Sequence, residues 1–359
     1  MVRPFDIRDV SVVQRLSPLG RALAYELAAV DGLSPLREAL RVYASGGGDN
    51  RAVLVRRSHD HAAEAFGLVQ LMSDPADTIR DDGAANESRN GVRSRYAALV
   101  YMAPVPRTED MAAAWADLAQ ALVSYAAERG AVHVIAEAPD NGSSDGIREA
   151  DALYSAGFSP LIHQDVLKLP RVSEACDAPA EEVPGLRPQQ DSDEPLIRLL
   201  TMRTVPKLMQ RAETTSDLTR LTHRIDCGFS LFNKGELTGN VAIRRGRRGY
   251  GLQMLFHASA EDRAEAALRY ALSRLCGRTG NRPIYCTVPS YQSWLLPALG
   301  RLGFVHVTSN VLMIKHTTAT VKQPVWSLDA KTATGGVVHG KPNAHQADAI
   351  RAPVCKKSE

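Results

Sequence analysis

Apolar residues in the first half of the chain change their period in a fixed order. Three stretches alternate or run apolar for the length of a strand, and residues 108–130 then carry apolar side chains at helical spacing and end at Gly130. A strand-length apolar run at residues 132–139, a short helix ending at Gly157 and a closing strand follow. This order predicts an α+β module in which helices flank a mixed, mostly antiparallel sheet.

The second half repeats this order. Three strand-length stretches lie between residues 228 and 257, a helix begins near Ser259, and a strand, a helix and a closing strand follow. The two halves also begin with the same spacing of an Arg-Pro pair, an acid and an apolar residue. A shift of 184 relates Arg3, Pro4, Asp9 and Leu16 to Arg187, Pro188, Asp193 and Leu200. We therefore predict two tandem modules of one fold.

Two breaks in the pattern set the predicted domain boundaries, in a chain longer than the ~250–300 residues of a single core. Residues 171–182 are mostly small, acidic or proline residues, which predicts a linker between an N-terminal module (1–170) and a C-terminal module (183–316). Residues 317–359 lack an apolar period and hold six basic and three acidic residues. We predict a disordered basic tail there.

Composition and charge exclude several classes of protein. The net charge is +3, which the tail alone accounts for, so the neutral body argues against a nucleic-acid partner. No apolar run has the ~18–20 residues of a membrane span, and the start lacks the apolar core of a signal peptide, so we expect a cytoplasmic protein without membrane contact. The five cysteines form no CxxC pair, which predicts reduced thiols rather than a zinc site or disulfides.

The order of elements resembles that of the GNAT acetyltransferase superfamily. The features that carry the resemblance are the Arg-Pro start, a long helix that leaves the fourth strand, and a Gly-Phe pair before each closing strand, the second of which is Gly303 and Phe304. The resemblance covers residues 1–316 as two tandem modules. It implies N-acyl transfer from acetyl-CoA to a primary amine.

The resemblance also implies where acetyl-CoA would bind. GNAT enzymes hold its pyrophosphate on backbone N–H groups at the start of the helix after the fourth strand, in a [QR]xxGx[GA] loop. The corresponding positions are Ala103, Val105, Asp110, Ala113 and Trp115 in the first module and Phe256, Glu261 and Asp262 in the second.

The residues at these positions differ from the family motif. Asp110, Ala113 and Trp115 stand where the motif has Arg or Gln, Gly, and Gly or Ala. We expect the indole of Trp115 to occupy the space of the phosphates, and Ser259 with Asp262 to cap the second helix. The sequence therefore leaves two functions open. One is an acyltransferase with an unknown amine acceptor, and the other is an inactive pseudo-acetyltransferase that binds a ligand or a partner protein.

A general acid and a general base are the remaining catalytic groups that the resemblance implies. The family's acid is a Tyr four residues before the Gly of Gly-Phe, where this chain has Leu153 and Leu299, and Tyr154 lies one residue later. Glu137 is the only acid in a central strand and is the candidate base. The favoured alternatives are a half-buried Tyr154 between helix and sheet and a solvated or ion-paired Glu137.

Three other segments carry weaker signals. Residues 59–61, His-Asp-His, could be metal ligands, but the pattern favours a hairpin turn and no metal. The four arginines between residues 244 and 248 could bind phosphate or RNA, and a solvated hairpin tip is the favoured interpretation. Residues 73–95 are too long and polar for a hairpin connection, which favours disorder over a lid.

Overall fold

The secondary structure of both halves follows the predicted order. The structure, a computed structural model, describes residues 1–46, 50–58, 64–72, 96–140, 149–171, 182–212, 225–275 and 282–317. The helices in these ranges are α1 (Val10–Leu16), α2 (Tyr25–Asp31), α3 (Pro35–Ala44), α4 (Glu109–Glu128), α5 (Glu149–Ser155), α6 (Glu194–Thr204), α7 (Lys207–Ala212), α8 (Glu261–Ser273) and α9 (Leu296–Arg301).

The strands of the first half are β1 (Val2–Pro4), β2 (Arg21–Ala22), β3 (Arg51–Arg56), β4 (Ala65–Met72), β5 (Tyr96–Ala103), β6 (His133–Pro139) and β7 (Ser159–Leu169). Those of the second half are β8 (Leu186–Pro188), β9 (Ile225–Asn233), β10 (Glu236–Arg245), β11 (Tyr250–Phe256), β12 (Ile284–Pro289) and β13 (Val305–His316). The α+β class and the mostly antiparallel sheet are confirmed. The predicted tail and most of the predicted linker lie outside the described residues.

The closing strands of the two halves exchange places in one sheet. Its order is β1-β3-β4-β5-β6-β13-β7-β12-β11-β10-β9-β8, with β2 on β5. Strand β13 of the second half pairs antiparallel with both β6 and β7 of the first, and β7 pairs with β12 of the second. Each half therefore depends on the other for the neighbour of its own central strand.

Helices cover both faces of this sheet. One face packs against α4 and α5 in the first half and α8 and α9 in the second. The other face packs against α1, α2 and α3. Because side chains alternate along a strand, Ala136 and Ala138 of β6 face α5, whereas Ile135 and Glu137 face the opposite side.

The repeated start of each half is an ion pair whose carboxylate is buried. Asp9 and Asp193 are fully buried and accept hydrogen bonds from Arg3 at 2.8 Å and Arg187 at 2.5 Å. Each carboxylate also accepts a hydrogen bond from the backbone N–H three residues before it, at 3.0 Å. The pair thus ties the edge strand, β1 or β8, to the helical turn that follows, which explains the spacing in the sequence.

Strand exchange predicts that cutting the linker will not separate the halves. We expect a protease site inserted between residues 171 and 182 to give two fragments that co-elute at the mass of the intact chain. The reason is that β13 stays hydrogen-bonded between β6 and β7. Size-exclusion chromatography before and after cleavage, with a denatured control, measures this. Elution of two folded halves would contradict the exchange.

Candidate functional site

Each module contains one pair of parallel strands whose backbone pairing covers only three residues. Strands β5 and β6 pair only over Tyr96–Ala98, and β11 and β12 pair only over Tyr250–Leu252. Crevices at the carboxyl ends of neighbouring parallel strands are common ligand sites. We call the space beyond Ala98 the first crevice and the space beyond Leu252 the second crevice.

The first crevice is filled by the main chain of its own module. Strand β2 pairs with β5, and the Leu23 N–H donates to the Val100 carbonyl at 2.9 Å. On the opposite wall, the Glu137 N–H donates to the Leu23 carbonyl at 2.8 Å. Residues 99–103 of β5 and 136–139 of β6 are all buried. The chain itself therefore satisfies both walls of this crevice.

Glu137, the candidate base, holds the start of α2. Its carboxylate accepts hydrogen bonds from the Tyr25 N–H at 2.8 Å and from the Asn310 amide at 3.4 Å, and the buried Gln164 amide lies beside it. Burial raises the pKa of Glu137 to about 7, although the hydrogen bonds from Tyr25, Gln164 and Asn310 lower it. The expectation of a solvated or ion-paired Glu137 is wrong, because the carboxylate is buried against backbone and amide donors.

Tyr154, the candidate acid, does not meet Glu137. It lies on α5 with 46% of its surface exposed, so it does not pack between helix and sheet as expected. The neighbouring Leu153 packs in the same cluster as Ala136 and Ala138, on the α5 face, whereas Glu137 points to the α2 face. The structure therefore places the two candidate catalytic residues on opposite sides of the sheet.

The start of α4 is closed by its own side chains. The Thr108 hydroxyl accepts a hydrogen bond from the Met111 N–H at 3.3 Å. Glu109 and Asp110 add two carboxylates to the first turn, and Asp110 and Ala113 are exposed. An anion at this helix start would meet like charge.

Trp115 does not stand at the helix start. Its indole is 1% exposed in the core beneath α4 and donates to the Pro104 carbonyl. The expectation that the indole occupies the phosphate space is therefore wrong, since helical geometry turns this position toward the sheet. Of the other two positions, Ala103 is fully buried and the Val105 N–H donates to the Leu19 carbonyl at 2.8 Å.

The start of α8 is capped differently from the prediction. His257 accepts a hydrogen bond from the Ser259 N–H at 3.2 Å and caps the turn before the helix. Helix α8 then begins at Glu261, after Ala260, without a side-chain cap, so the predicted cap by Ser259 and Asp262 is wrong. Glu261 and Asp262 are exposed in the first turn.

The walls of the second crevice are less buried than those of the first. Residues 253–255 of β11 are half-buried, and so are Thr287 and Pro289 of β12. The Tyr250 N–H bonds the Pro283 carbonyl on the β12 side, so alternation turns the main-chain groups of Met254 into the crevice. Within the described residues, no main-chain segment fills this space.

Side chains define the end of the second crevice and one of its walls. The Gln292 amide is buried and donates to the Phe256 carbonyl at 2.9 Å, which closes the end next to α8. Helix α2 of the first module packs against β12 and β11. The Thr287 hydroxyl donates to the Glu26 carboxylate at 2.9 Å.

The arginine-rich turn between β10 and β11 docks on α2. The Arg248 and Gly249 N–H groups donate to the Val30 carbonyl at 2.9 and 3.1 Å. Arg244 is buried and its guanidinium donates to the Gln253 amide at 2.9 Å. The interpretation as a solvated hairpin tip is therefore wrong for the backbone of the turn, because a helix C-terminus offers free carbonyls to these donors.

The weaker candidates from the sequence gain no support from the described residues. Residues 59–61 and 73–95 lie outside the described residues. Among the described residues, no three His, Cys, Asp or Glu side chains converge as a metal site, and no helix is long and apolar enough to cross a bilayer.

The residues near the second crevice that the sequence does not predict are those of α2. Their hydrophobic pattern in the sequence is weak, because a helix of seven residues ending before Gly32 makes slightly less than two turns.

The chain is similar to several solved structures. A tandem GNAT protein from the clavulanic acid biosynthesis pathway is 14% identical, with a TM-score of 0.48 over 88% of this chain and 98% of its own. GCN5-related N-acetyltransferases from Sphaerobacter thermophilus (16% identical, TM-score 0.46, 88% and 95% covered) and Anabaena variabilis (12%, 0.40, 88% and 72%) are also similar. These similarities assign neither a family nor an activity to the chain.

Searches by sequence give a different result. No model of a known protein family matches the chain. No curated protein matches it.

The buried carboxyl of Glu137 predicts a pH dependence of stability. Its pKa rises from 4.5 to about 7 in the folded protein, so the folded state binds the proton more tightly. The free energy of unfolding should then fall by about 3 kcal/mol between pH 4.5 and pH 7. We expect Glu137→Gln to remove this fall, as measured by urea unfolding from pH 5 to pH 8.

Glu38→Gln is the matched control for this measurement. Glu38 is equally buried but pairs with Arg51 at 2.5 Å. Its substitution should destabilise the protein at every pH and leave the slope unchanged, since it leaves Arg51 without its partner. A slope that survives Glu137→Gln would show that another group carries the pH dependence.

The position of Trp115 predicts a large loss of stability on truncation. Trp115→Ala should lower the free energy of unfolding by about 3–5 kcal/mol, because it leaves a cavity beneath α4. Asp110→Ala, at the exposed start of the same helix, should change it by about 0.5 kcal/mol or less. Urea unfolding measures both. A small effect of Trp115→Ala would place the indole at the helix surface instead.

Proposed function

We propose that this protein is an acyl-CoA-dependent N-acyltransferase whose second module holds the thioester in the second crevice, while the first module is a non-catalytic scaffold. The observation that carries the proposal is the opposite state of the two crevices. Main chain fills the first, whereas the walls of the second are half-buried and reach solvent. The acceptor is a primary amine, as the resemblance to GNAT enzymes implies.

The second crevice fits the arm of the cofactor better than its phosphates. The main-chain groups of Met254 turn toward the second crevice, and they suit the amides of a pantetheine arm lying beside β11. The pyrophosphate would lie near Glu261 and Asp262 at a helix start without glycine. We therefore expect the arm, rather than the phosphates, to supply most of the affinity.

The acids at both helix starts favour the pseudo-acetyltransferase as the second candidate. A cradle of bare N–H groups is the usual source of phosphate affinity, and α4 replaces it with Thr108 and two carboxylates. If this loss extends to the second crevice, the scaffold binds another ligand or a partner protein. A titration with thioester ligands separates the two functions.

A calorimetric titration with acetyl-CoA and S-acetylpantetheine tests the proposal. We expect both to bind the intact chain with similar affinity. Thr287→Trp, which fills the second crevice, should abolish binding. Ala113→Trp, at the exposed start of α4, is the matched control and should leave it unchanged, because the first crevice is already filled.

Three results would contradict this assignment. Loss of binding in Ala113→Trp alone would move the site to the first module. Binding that survives Thr287→Trp in a protein with an unchanged melting temperature would exclude the second crevice. Failure of both ligands to bind the wild-type chain at millimolar concentration would favour the pseudo-acetyltransferase.

A further inference from the structure

Four large apolar side chains of the second module are exposed on two consecutive helices. Helix α6 contributes three of them and α7 the fourth, and together we call them the apolar face: Leu196, Leu199, Met202 and Leu208, which are 39%, 49%, 62% and 69% exposed. The three on α6 are spaced three residues apart, so they lie along one side of the helix, away from the buried Ile197 and Leu200. Contiguous exposed apolar side chains mark interaction surfaces.

The internal repeat shows that the fold itself does not require this face. The shift of 184 relates Leu196 to Val12 and Leu199 to Arg15 of α1. Val12 is buried in the first module, where α3 packs against α1, and Arg15 pairs with Glu64. The first module therefore buries or charges two positions that the second module leaves apolar and exposed.

Gln210 fixes α7 against the end of α6. Its side-chain amide donates to the Met202 carbonyl at 2.9 Å and to the Val205 carbonyl at 2.6 Å. The main chain is extended at Val205, so α7 does not continue the axis of α6. The apolar face is therefore a patch across two helices. A planar surface can contact all of it, whereas one helix of a protein partner would follow a single line.

Exposed basic residues border the apolar face, one beside each of its last three members: Arg198, Arg203 and Lys207. The only acid in the sequence of the two helices is Glu194, at the start of α6. Arg203 also approaches Glu236 at 3.5 Å, but an exposed pair of this kind is easily exchanged for another anion. The charge around the apolar face therefore favours an anionic partner.

A second copy of the chain fits this face poorly. Leu199 is the middle residue of α6, with Leu196 and Met202 three residues to either side, so a two-fold pairing of the helix would be centred on it. Two-fold rotation brings the same flank of each helix together, and Arg198 lies on that flank one residue from the centre. The two Arg198 side chains would then meet, and like charges in an interface oppose association.

We infer that the apolar face, with Arg198, Arg203 and Lys207, is a docking surface for the anionic surface of a lipid bilayer. The apolar side chains would enter the boundary between headgroups and acyl chains, and the basic side chains would reach the lipid phosphates. Composition predicts no membrane contact, because three basic residues on one patch leave the body of the chain neutral. The inference does not depend on the proposed function.

Co-sedimentation of the full chain with sucrose-loaded vesicles tests this surface. We expect vesicles of phosphatidylcholine with about 30% phosphatidylglycerol to bind the protein at least about tenfold more tightly than pure phosphatidylcholine vesicles do. Leu199→Asp should weaken binding to the anionic vesicles at least about tenfold, and Arg198→Gln about fivefold. Met202→Asp, at a still more exposed position, should act like Leu199→Asp.

Val132→Asp is the matched control, because Val132 is an apolar residue of the first module with 46% of its surface exposed. It should leave vesicle binding unchanged. All four variants alter exposed side chains, so their melting temperatures should equal that of the wild-type chain. The basic residues of the tail are the same in every variant, so the ratios of affinity isolate the apolar face.

Failure of the wild-type chain to bind anionic vesicles at millimolar lipid would overturn the inference. Binding that both Leu199→Asp and Met202→Asp leave unchanged would also overturn it, since the tail or another surface would then carry the affinity. Sedimentation velocity without lipid tests the remaining occupant. A concentration-dependent dimer that Leu199→Asp abolishes would assign the face to a second copy and reject the bilayer.

Discussion

The closing strands β7 and β13 each complete the sheet of the other half, and the rest of the structure depends on this exchange. A strand between β6 and β12 needs hydrogen-bond partners on both sides, and here each partner comes from the opposite module. The exchange joins the two cores through the main-chain hydrogen bonds of one sheet. It also fixes the distance between the two crevices, because both lie on strands of one continuous sheet.

Helix α2 turns this continuous sheet into two unequal modules. Its preceding segment fills the first crevice, and the helix itself packs against the first half as well as against β12 and β11 of the second. Contacts at both of its ends hold it there, with Glu137 at the start and the turn between β10 and β11 at the end. The filling of one crevice and the walling of the other are therefore two results of the same short segment.

The sequence predicts most elements of the fold because long periodic stretches and a repeated Arg-Asp spacing leave few alternatives. It misses the exchange of β7 and β13, since an identical order of elements fits two closed modules equally well. It also misses β2, whose two residues have no period. The site is harder to predict, because position in the family motif puts the Trp115 indole in the space of the phosphates, whereas packing turns it into the core.

Equivalent positions in the two modules show how the repeat came to serve two purposes. Glu137 and Thr287 each lie two residues before the proline that ends a central strand, and both contact the first turn of α2. Glu137 accepts a hydrogen bond from the backbone of Tyr25, whereas Thr287 donates one to the side chain of Glu26. The first contact buries a carboxyl and stabilises the helix start, and the second keeps a carboxylate within reach of solvent. The repeat thus supplies two equivalent anchors on either side of α2, of which one is buried and structural and the other is only half-buried.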